Sequence, residues 1–321
     1  MRSFKKIRRL PVLLLIFFLP LHQKAQKPAV PDLIFPWTGG LNSAQFCSID
    51  LNLDGISDLV VFDRHGNRII PFINENPVPG EMNYAYAPQY ISAFPDLHDW
   101  VQMIDYDQDG RMDLFTCGEG GARVFRNSPD SVLKFQLVTD LLSSFYYTGK
   151  VGILITTADY PAFTDVDHDG DLDLLTFFGL GAFVEYHRNL SMEKYGIPDS
   201  LDLRLEDKCW GDFREGLESN ILDLNVVCPY KKSFNMTCTG ERHTGSTLLA
   251  TDLNHDGLTD LILGDIDYPQ LITLINGGTI DSAHMISQDT IFPFSSHPVR
   301  LFSFPACSFL DMDNDGLRDI I

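Results

Sequence analysis

Positive charge is scarce in this sequence: 24 lysines and arginines face 44 aspartates and glutamates, for a formal charge of −20. Binding to nucleic acid needs a basic surface, so that class of partner is excluded. No CxxC pair occurs, so the six cysteines do not have zinc-site spacing. HExxH, GxSxG, a Walker loop and a GxGxxG in a βαβ setting are all missing, and with them the signatures of several enzyme classes. Low hydrophobicity is not among the deficits. Apolar residues make up 44% and aromatics 12%, which argues for a folded chain with a sizeable core.

The N-terminus reads as a targeting segment. Arg2, Lys5, Lys6, Arg8 and Arg9 form a basic region, and "VLLLIFFLPL" at 12–21 follows it. That run falls short of the roughly 20 residues a transmembrane helix needs. A cleaved secretory signal over 1–25, cut after Ala25, is therefore expected, with a linker or first strand at 26–44 and no transmembrane span in the mature chain. Export implies a secreted or cell-surface protein in an oxidising compartment, where the cysteines can pair. Six cysteines allow 15 connectivities, and the spacing alone does not choose among them.

One pattern, D-x-[DN]-x-D-G-x-x-D, occurs five times: "DLNLDGISD" (50–58), "DYDQDGRMD" (105–113), "DVDHDGDLD" (165–173), "DLNHDGLTD" (252–260) and "DMDNDGLRD" (311–319). The starts lie 55, 60, 87 and 59 residues apart. Hard cations such as calcium take six to eight oxygen ligands. Side chains at positions 1, 3 and 5 converge when such a loop curls, glycine at position 6 permits the sharp turn, the carbonyl of position 7 points inward, and the aspartate at position 9 closes the shell. The expected ligands, about one ion per loop, are Asp50, Asn52, Asp54, Ile56 and Asp58; Asp105, Asp107, Asp109, Arg111 and Asp113; Asp165, Asp167, Asp169, Asp171 and Asp173; Asp252, Asn254, Asp256, Leu258 and Asp260; and Asp311, Asp313, Asp315, Leu317 and Asp319. At position 7 the backbone does the work, and the side chain of Asp171 is expected to face solvent. Positions 1, 3, 5 and 9 hold 18 carboxylates, close to the whole negative excess of 20. Simple Asp-Gly turns would need no aspartate at position 9.

EF-hands open the same way, but they need a glutamate at position 12 and flanking helices. Position 12 is Val61, Thr116, Thr176 or Leu263, and the flanks are short apolar runs such as "LVVFD" and "LILGD" that read as buried strands. A turn and another strand follow, as in "DLVVFDRHGNRIIPFIN", and an apolar run such as "AQFCSI" or "STLLAT" precedes each loop. The expected fold is all-β: four-stranded blades of a β-propeller, one ion loop per blade.

On these loops and this period the chain resembles the FG-GAP/VCBS-type repeats of integrin-alpha-like β-propellers, and bacterial secreted proteins built from them. The resemblance covers about residues 45–321, and "FFGLGA" at 177–182 is the nearest match to the FG-GAP portion itself. It implies calcium in each loop, and a surface used for attachment or for contact with a protein or carbohydrate ligand on the cell surface or in the matrix. Two features depart from the family plan. The 87-residue interval holds an insertion at about 191–245, with Cys209, Cys228 and Cys238; a Cys209–Cys228 bridge and a small core of Trp210, Phe213 and Phe234 are expected there. The chain also stops at Ile321, just as a strand begins, so a fragment of about four and a half blades is expected, with ring closure not assured.

No residue stands out as a nucleophile with its base. "HTGST" at 243–247 reads as the lead into a strand, and His65, His168 and His255 are expected in solvent. The sequons Asn189-Leu-Ser191 and Asn235-Met-Thr237 carry no weight. The leading expectation is a non-catalytic calcium-binding scaffold for adhesion or recognition. The rival is an ancillary propeller of an extracellular carbohydrate-active enzyme whose catalytic part lies beyond residue 321 or in the insertion. A calcium sensor is disfavoured, because loops between packed strands leave little room for a second conformation.

Overall fold

The computed structural model describes residues 40–75, 77–179, 182–216, 219–229, 245–294, 297–301 and 304–321. The expected signal segment, Phe234, Cys238, His243 and the second sequon lie outside these residues.

Four antiparallel sheets repeat one plan. Blade 1 is β1 (Ala44–Ile49), β2 (Asp58–Asp63), β3 (Arg68–Asn74) and β4 (Tyr84–Tyr86), paired in that order. Blade 2 is β5 (Val101–Ile104), β6 (Asp113–Gly118), β7 (Gly121–Asn127) and β8 (Phe135–Thr139). A hairpin follows, β9 (Ser143–Tyr146) and β10 (Gly149–Gly152). Blade 3 is β11 (Ala162–Thr164), β12 (Asp173–Phe177), β13 (Val184–Arg188) and, after the short helix α1 (Ser191–Tyr195), β14 (Leu203–Asp207). A two-stranded excursion, β15 (Phe213–Arg214) and β16 (Asp223–Leu224), precedes blade 4: β17 (Ser246–Thr251), β18 (Asp260–Asp265), β19 (Leu271–Asn276) and β20 (Met285–Phe292). The hairpin β21 (Phe309–Leu310) and β22 (Asp319–Ile320) opens a fifth unit. The chain is all-β, with its four full blades in a propeller arrangement.

The second strand of each full blade is buried along nearly its whole length. Successive side chains of a strand point to opposite faces, and here each face meets a different neighbour. In β2, Val60 and Phe62 pack with Val101 and Met103 of blade 2, while Leu59 and Val61 pack with Leu310 of the fifth unit. In β6, Leu114 faces blade 1, and Phe115 and Cys117 face blade 3. In β18, Leu261 and Leu263 face blade 3, and Ile262 faces Cys307. This explains the near-continuous apolar runs, which suit strands covered on both sides.

The packing runs full circle. The fifth unit meets blade 1 through Phe46 N–H donating to Ser308 Oγ at 3.2 Å and Tyr84 O–H donating to the Met312 carbonyl at 3.2 Å. Asn74 Nδ2 donates to Asn314 Oδ1 at 2.7 Å. The two-stranded fifth unit thus closes a circuit that the sequence left open. Blade 4 approaches the same unit closely at Gly264, where a Cβ would collide with the Pro305 carbonyl oxygen. Residues of β1, β5, β11, β17 and β21 line one cavity of about 520 Å³, which places the first strands nearest the axis.

Two segments fall outside the repeat plan. The outer edge of β14 would be unpaired, and β9 covers it in parallel, Leu203 opposite Ser144, which widens blade 3 to six strands. Among the described residues, the first part of the stretch 191–245 supplies α1 and β14 of blade 3, and residues 209–229 carry a separate pair of strands, β15 and β16. That excursion carries the Cys209–Cys228 disulfide. Trp210 and Phe213 are buried, not in a core of their own but with Phe177 and Leu248 between blades 3 and 4. Cys47, Cys117 and Cys307 are free and buried; burial pushes the Cys47 and Cys307 thiols up to about 12 and is the main cause holding Cys117 at about 11.

Candidate metal centres

All five loops adopt one conformation. Position 4 (Leu53, Gln108, His168, His255, Asn314) has φ between 56° and 63°, and the position-6 glycine lies between 84° and 99°. Glycine adopts that region without strain; other residues do so at a cost. A ladder of side-chain acceptors compensates. In the first loop, the position-1 carboxylate of Asp50 accepts from Gly55 N–H at 2.8 Å, Asn52 Oδ1 from Asp54 N–H at 3.0 Å, and Asp54 Oδ1 from Ile56 N–H at 2.8 Å. The same three bonds recur in the loops of Asp105, Asp165, Asp252 and Asp311, at 2.8–3.4 Å. Asp50, Asp105 and Asp252 accept with both oxygens, the second taking the position-5 N–H at 3.1–3.2 Å, whereas the position-5 aspartates accept from the position-7 N–H through Oδ1.

Position 9 has a further task. Asp58, Asp113, Asp173 and Asp260 are buried. One oxygen of each accepts from position 2 of its own loop: Leu51, Tyr106, Val166 and Leu253 N–H, at 2.8–3.2 Å. The other accepts from the asparagine that ends the third strand: Asn74, Asn127, Asn189 and Asn276 N–H, at 2.7–2.8 Å. This aspartate therefore staples loop to blade whether or not an ion is present. Asp319 makes the position-2 bond, from Met312 N–H at 3.0 Å. Burial, the largest cause, raises the carboxyls of Asp58 and Asp260 and pushes Asp113 up to about 7 and Asp173 to about 8.

Asp171 differs from its expected place in solvent. It is buried, and its Oδ2 accepts from Met192 N–H at 2.9 Å, in the first turn of α1. Its carboxylate satisfies a helix N–H that has no partner within the helix. Burial pushes it up to about 6. His65, His168 and His255 are exposed as expected.

The donor set fits a hard cation. Ligand oxygens of Asp105, Asp107 and Asp113 lie within 4.8 Å of one another, as do those of Asp165, Asp167 and Asp173, and of Asp311, Asp313 and Asp315. Asp165 Oδ1, Asp171 Oδ1 and Asp311 Oδ1 are buried without a hydrogen-bond donor. In the loops of blades 1 and 4 an asparagine replaces the third carboxylate, so Asn52 and Asn254 would bring a neutral oxygen. All-oxygen ligation at this density suits calcium better than softer metals.

The FG-GAP-like repeat profile matches residues 50–116 and again 105–176. The chain is a β-propeller with FG-GAP-like repeats. Each FG-GAP-like match runs from one acidic loop to the second strand of the next blade, so the repeat of the profile straddles two blades. No match is found among curated proteins. Among solved structures, the chain is similar to an Agrocybe aegerita lectin described as recognising non-reducing terminal N-acetylglucosamine, at 16% identity and a TM-score of 0.38. That alignment covers 87% of this chain and 60% of the lectin chain, so the present chain spans under two thirds of that protein's length.

A Ser–His–Glu group that motif reading missed lies under the extra hairpin. Ser144 Oγ is 2.9 Å from His187 Nδ1, and His187 Nε2 is 3.4 Å from Glu185 Oε2. All three side chains are buried. The group joins β9 to β13 of blade 3, and its serine is fully buried.

Proposed function

We propose that this FG-GAP-like propeller is a non-catalytic calcium-binding scaffold, secreted or displayed at the cell surface, that recognises a protein or carbohydrate ligand there or in the matrix. The observation that carries the reading is the fivefold identity of the acidic loops. Five separate segments spend their backbone hydrogen bonds in the same way, and three of them hold three carboxylate oxygens within 4.8 Å of one another, which is costly without a cation. Each ion would tie the first strand of a blade to the second, and relieve the repulsion that burial worsens.

Recognition falls to the parts that the repeats do not share, since a rigid scaffold presents its binding groups on such additions. The hairpin region carries exposed Phe145, Val151 and Leu154, and Tyr147 at 88% exposure. The basic, then apolar N-terminus supports export. No helix among the described residues is long and apolar enough to cross a membrane. The buried Ser144–His187–Glu185 group supports a structural role over a catalytic one.

Thermal unfolding with calcium, with magnesium and with chelator tests the reading. A ligand bound only by the folded state raises the midpoint as its concentration rises. We expect a calcium-specific rise that Asp169→Ala reduces. An unchanged midpoint in calcium would reduce the loops to acidic turns and remove the proposal.

A further inference from the structure

The four full blades fall into two kinds, and two positions change together. Loop position 3 is asparagine in blades 1 and 4 (Asn52, Asn254) and aspartate in blades 2 and 3 (Asp107, Asp167). The residue before the stapling asparagine is Ile73 and Ile275 in the first pair, Arg126 and Arg188 in the second.

The geometry explains the coupling. In blades 1 and 4 the loop supplies its own donor: Asn52 Nδ2 donates to Asp54 Oδ2 and Asn254 Nδ2 to Asp256 Oδ2, both at 2.9 Å. In blade 2 the guanidinium takes that role from the neighbouring strand. Arg126 lies 2.5 Å from Asp107 Oδ2 and 3.4 Å from Asp109 Oδ2. In blade 3, Arg188 lies 2.5 Å from Asp167 Oδ2 and 3.7 Å from Asp169 Oδ2. These are the oxygens of positions 3 and 5, which a cation would need. The side chain of Asp107 is fully buried, so the pair is poorly screened.

Blades 2 and 3 then part company. Arg188 has a second place to go: Nε holds Asp167, while Nη2, 3.7 Å from Asp169 Oδ2, lies only 2.6 Å from Glu193 Oε1 in α1. The ion pairs described for Arg126 are all to the loop itself.

We propose that Arg126 and Arg188 are tethered counter-cations that calcium must displace, and that Glu193 is the carboxylate that receives Arg188 when it leaves. The proposal rests on the reading that the loops bind calcium. It makes the loop of blade 2 the last to fill and the least dependent on an ion for its shape. Blade 3 fills through a handover: as calcium takes Asp167 and Asp169, the guanidinium moves wholly to Glu193.

Calcium titration of the isotope-labelled protein tests this loop by loop, through the amide resonances of Gly55, Gly110, Gly170 and Gly257. Ligand charge raises affinity in such loops, so the added carboxylate of Asp107 favours calcium, and the delay expected for this loop comes from the Arg126 guanidinium that holds Asp107 and Asp109. Gly110 is expected to reach its midpoint at about tenfold or more higher calcium than Gly55 and Gly257. Arg126→Leu is expected to bring Gly110 down to their range and leave the others in place. Glu193→Gln is expected to move Gly170 alone to higher calcium. Should Arg126→Leu fold poorly, Asp107→Asn with Arg126→Ile copies the pair of blade 1 and is expected to give the same shift. An arginine that only held the loop together would, on removal, weaken binding or leave it unchanged. Gly110 filling with the others, or a midpoint that does not move in the arginine variants, overturns the proposal and leaves calcium binding intact. Absence of any glycine response to calcium overturns both.

Discussion

At the residue scale, the nine-residue motif contains two kinds of aspartate that look alike in sequence. Positions 1, 3 and 5 fold the loop and, in the proposed function, would present oxygens to an ion. Position 9 holds two backbone N–H groups at once and sits in the core. The two can be separated by mutation. Asp260→Ala leaves Leu253 N–H and Asn276 N–H without their acceptor, and about 2–4 kcal/mol of stability is expected to be lost even in chelator. Asp256→Ala touches an exposed loop position. Its loss in chelator is expected to be under about 1 kcal/mol, with a larger loss in calcium. Denaturant titration of both variants in both conditions checks this; equal losses in chelator would mean that position 9 has no special role. Asp171 carries the same lesson. Its loop position suggested solvent, but a helix that sequence reading had not placed there took its carboxylate.

At the element scale, the strands were legible. "AQFCSI" and "STLLAT" are β1 and β17 residue for residue, and the buried second strands follow from their apolar runs. The hairpin β9–β10 was not, because its role depends on the free edge of β14, some 50 residues on. The excursion was half legible: the Cys209–Cys228 bridge expected within the insertion is present, although spacing alone did not select it, whereas the packing of Trp210 and Phe213 differs from the expected one. Trp210 and Phe213 pack with Phe177 and Leu248 between blades 3 and 4, together with Leu222 of the excursion. The Cys209–Cys228 bridge closes a separation of 19 residues. In the chain-entropy view such a loop is worth about 3 kcal/mol. Replacing both cysteines by alanine is expected to lower stability by about that much, and to raise hydrogen exchange around β15 and β16 before the blades themselves. Exchange that rises evenly across the protein would instead make the bridge a global restraint.

At the scale of the whole molecule, the decisive feature is the closed circuit. Repeat proteins often gain stability by stacking units in a line; here the last unit returns to the first. Leu310 is buried with Leu59, Val61 and Ile70 at that closure. Leu310→Ala is expected to cost about 2–4 kcal/mol. It is also expected to loosen blade 1, which lies more than 200 positions away in sequence, more than blade 3. Exchange protection mapped along the chain checks this. Loosening confined to residues after 304 would show that the closure contributes little.

The sequence by itself determined the repeat, the strand order of each blade and the acidic loops, because these obey short-range rules. Strand alternation, turn chemistry and the curl of a nine-residue loop involve neighbours in the chain. Only the tertiary structure decided the rest: that the fifth unit meets the first, that β9 covers β14, that position 9 is a staple, and that an arginine stands over two of the loops. Each of these joins groups whose distance in space the chain does not encode locally. The pairing of aspartate with arginine and asparagine with isoleucine was written in the sequence throughout. It acquired meaning only when the third strand brought Arg126 within 2.5 Å of Asp107.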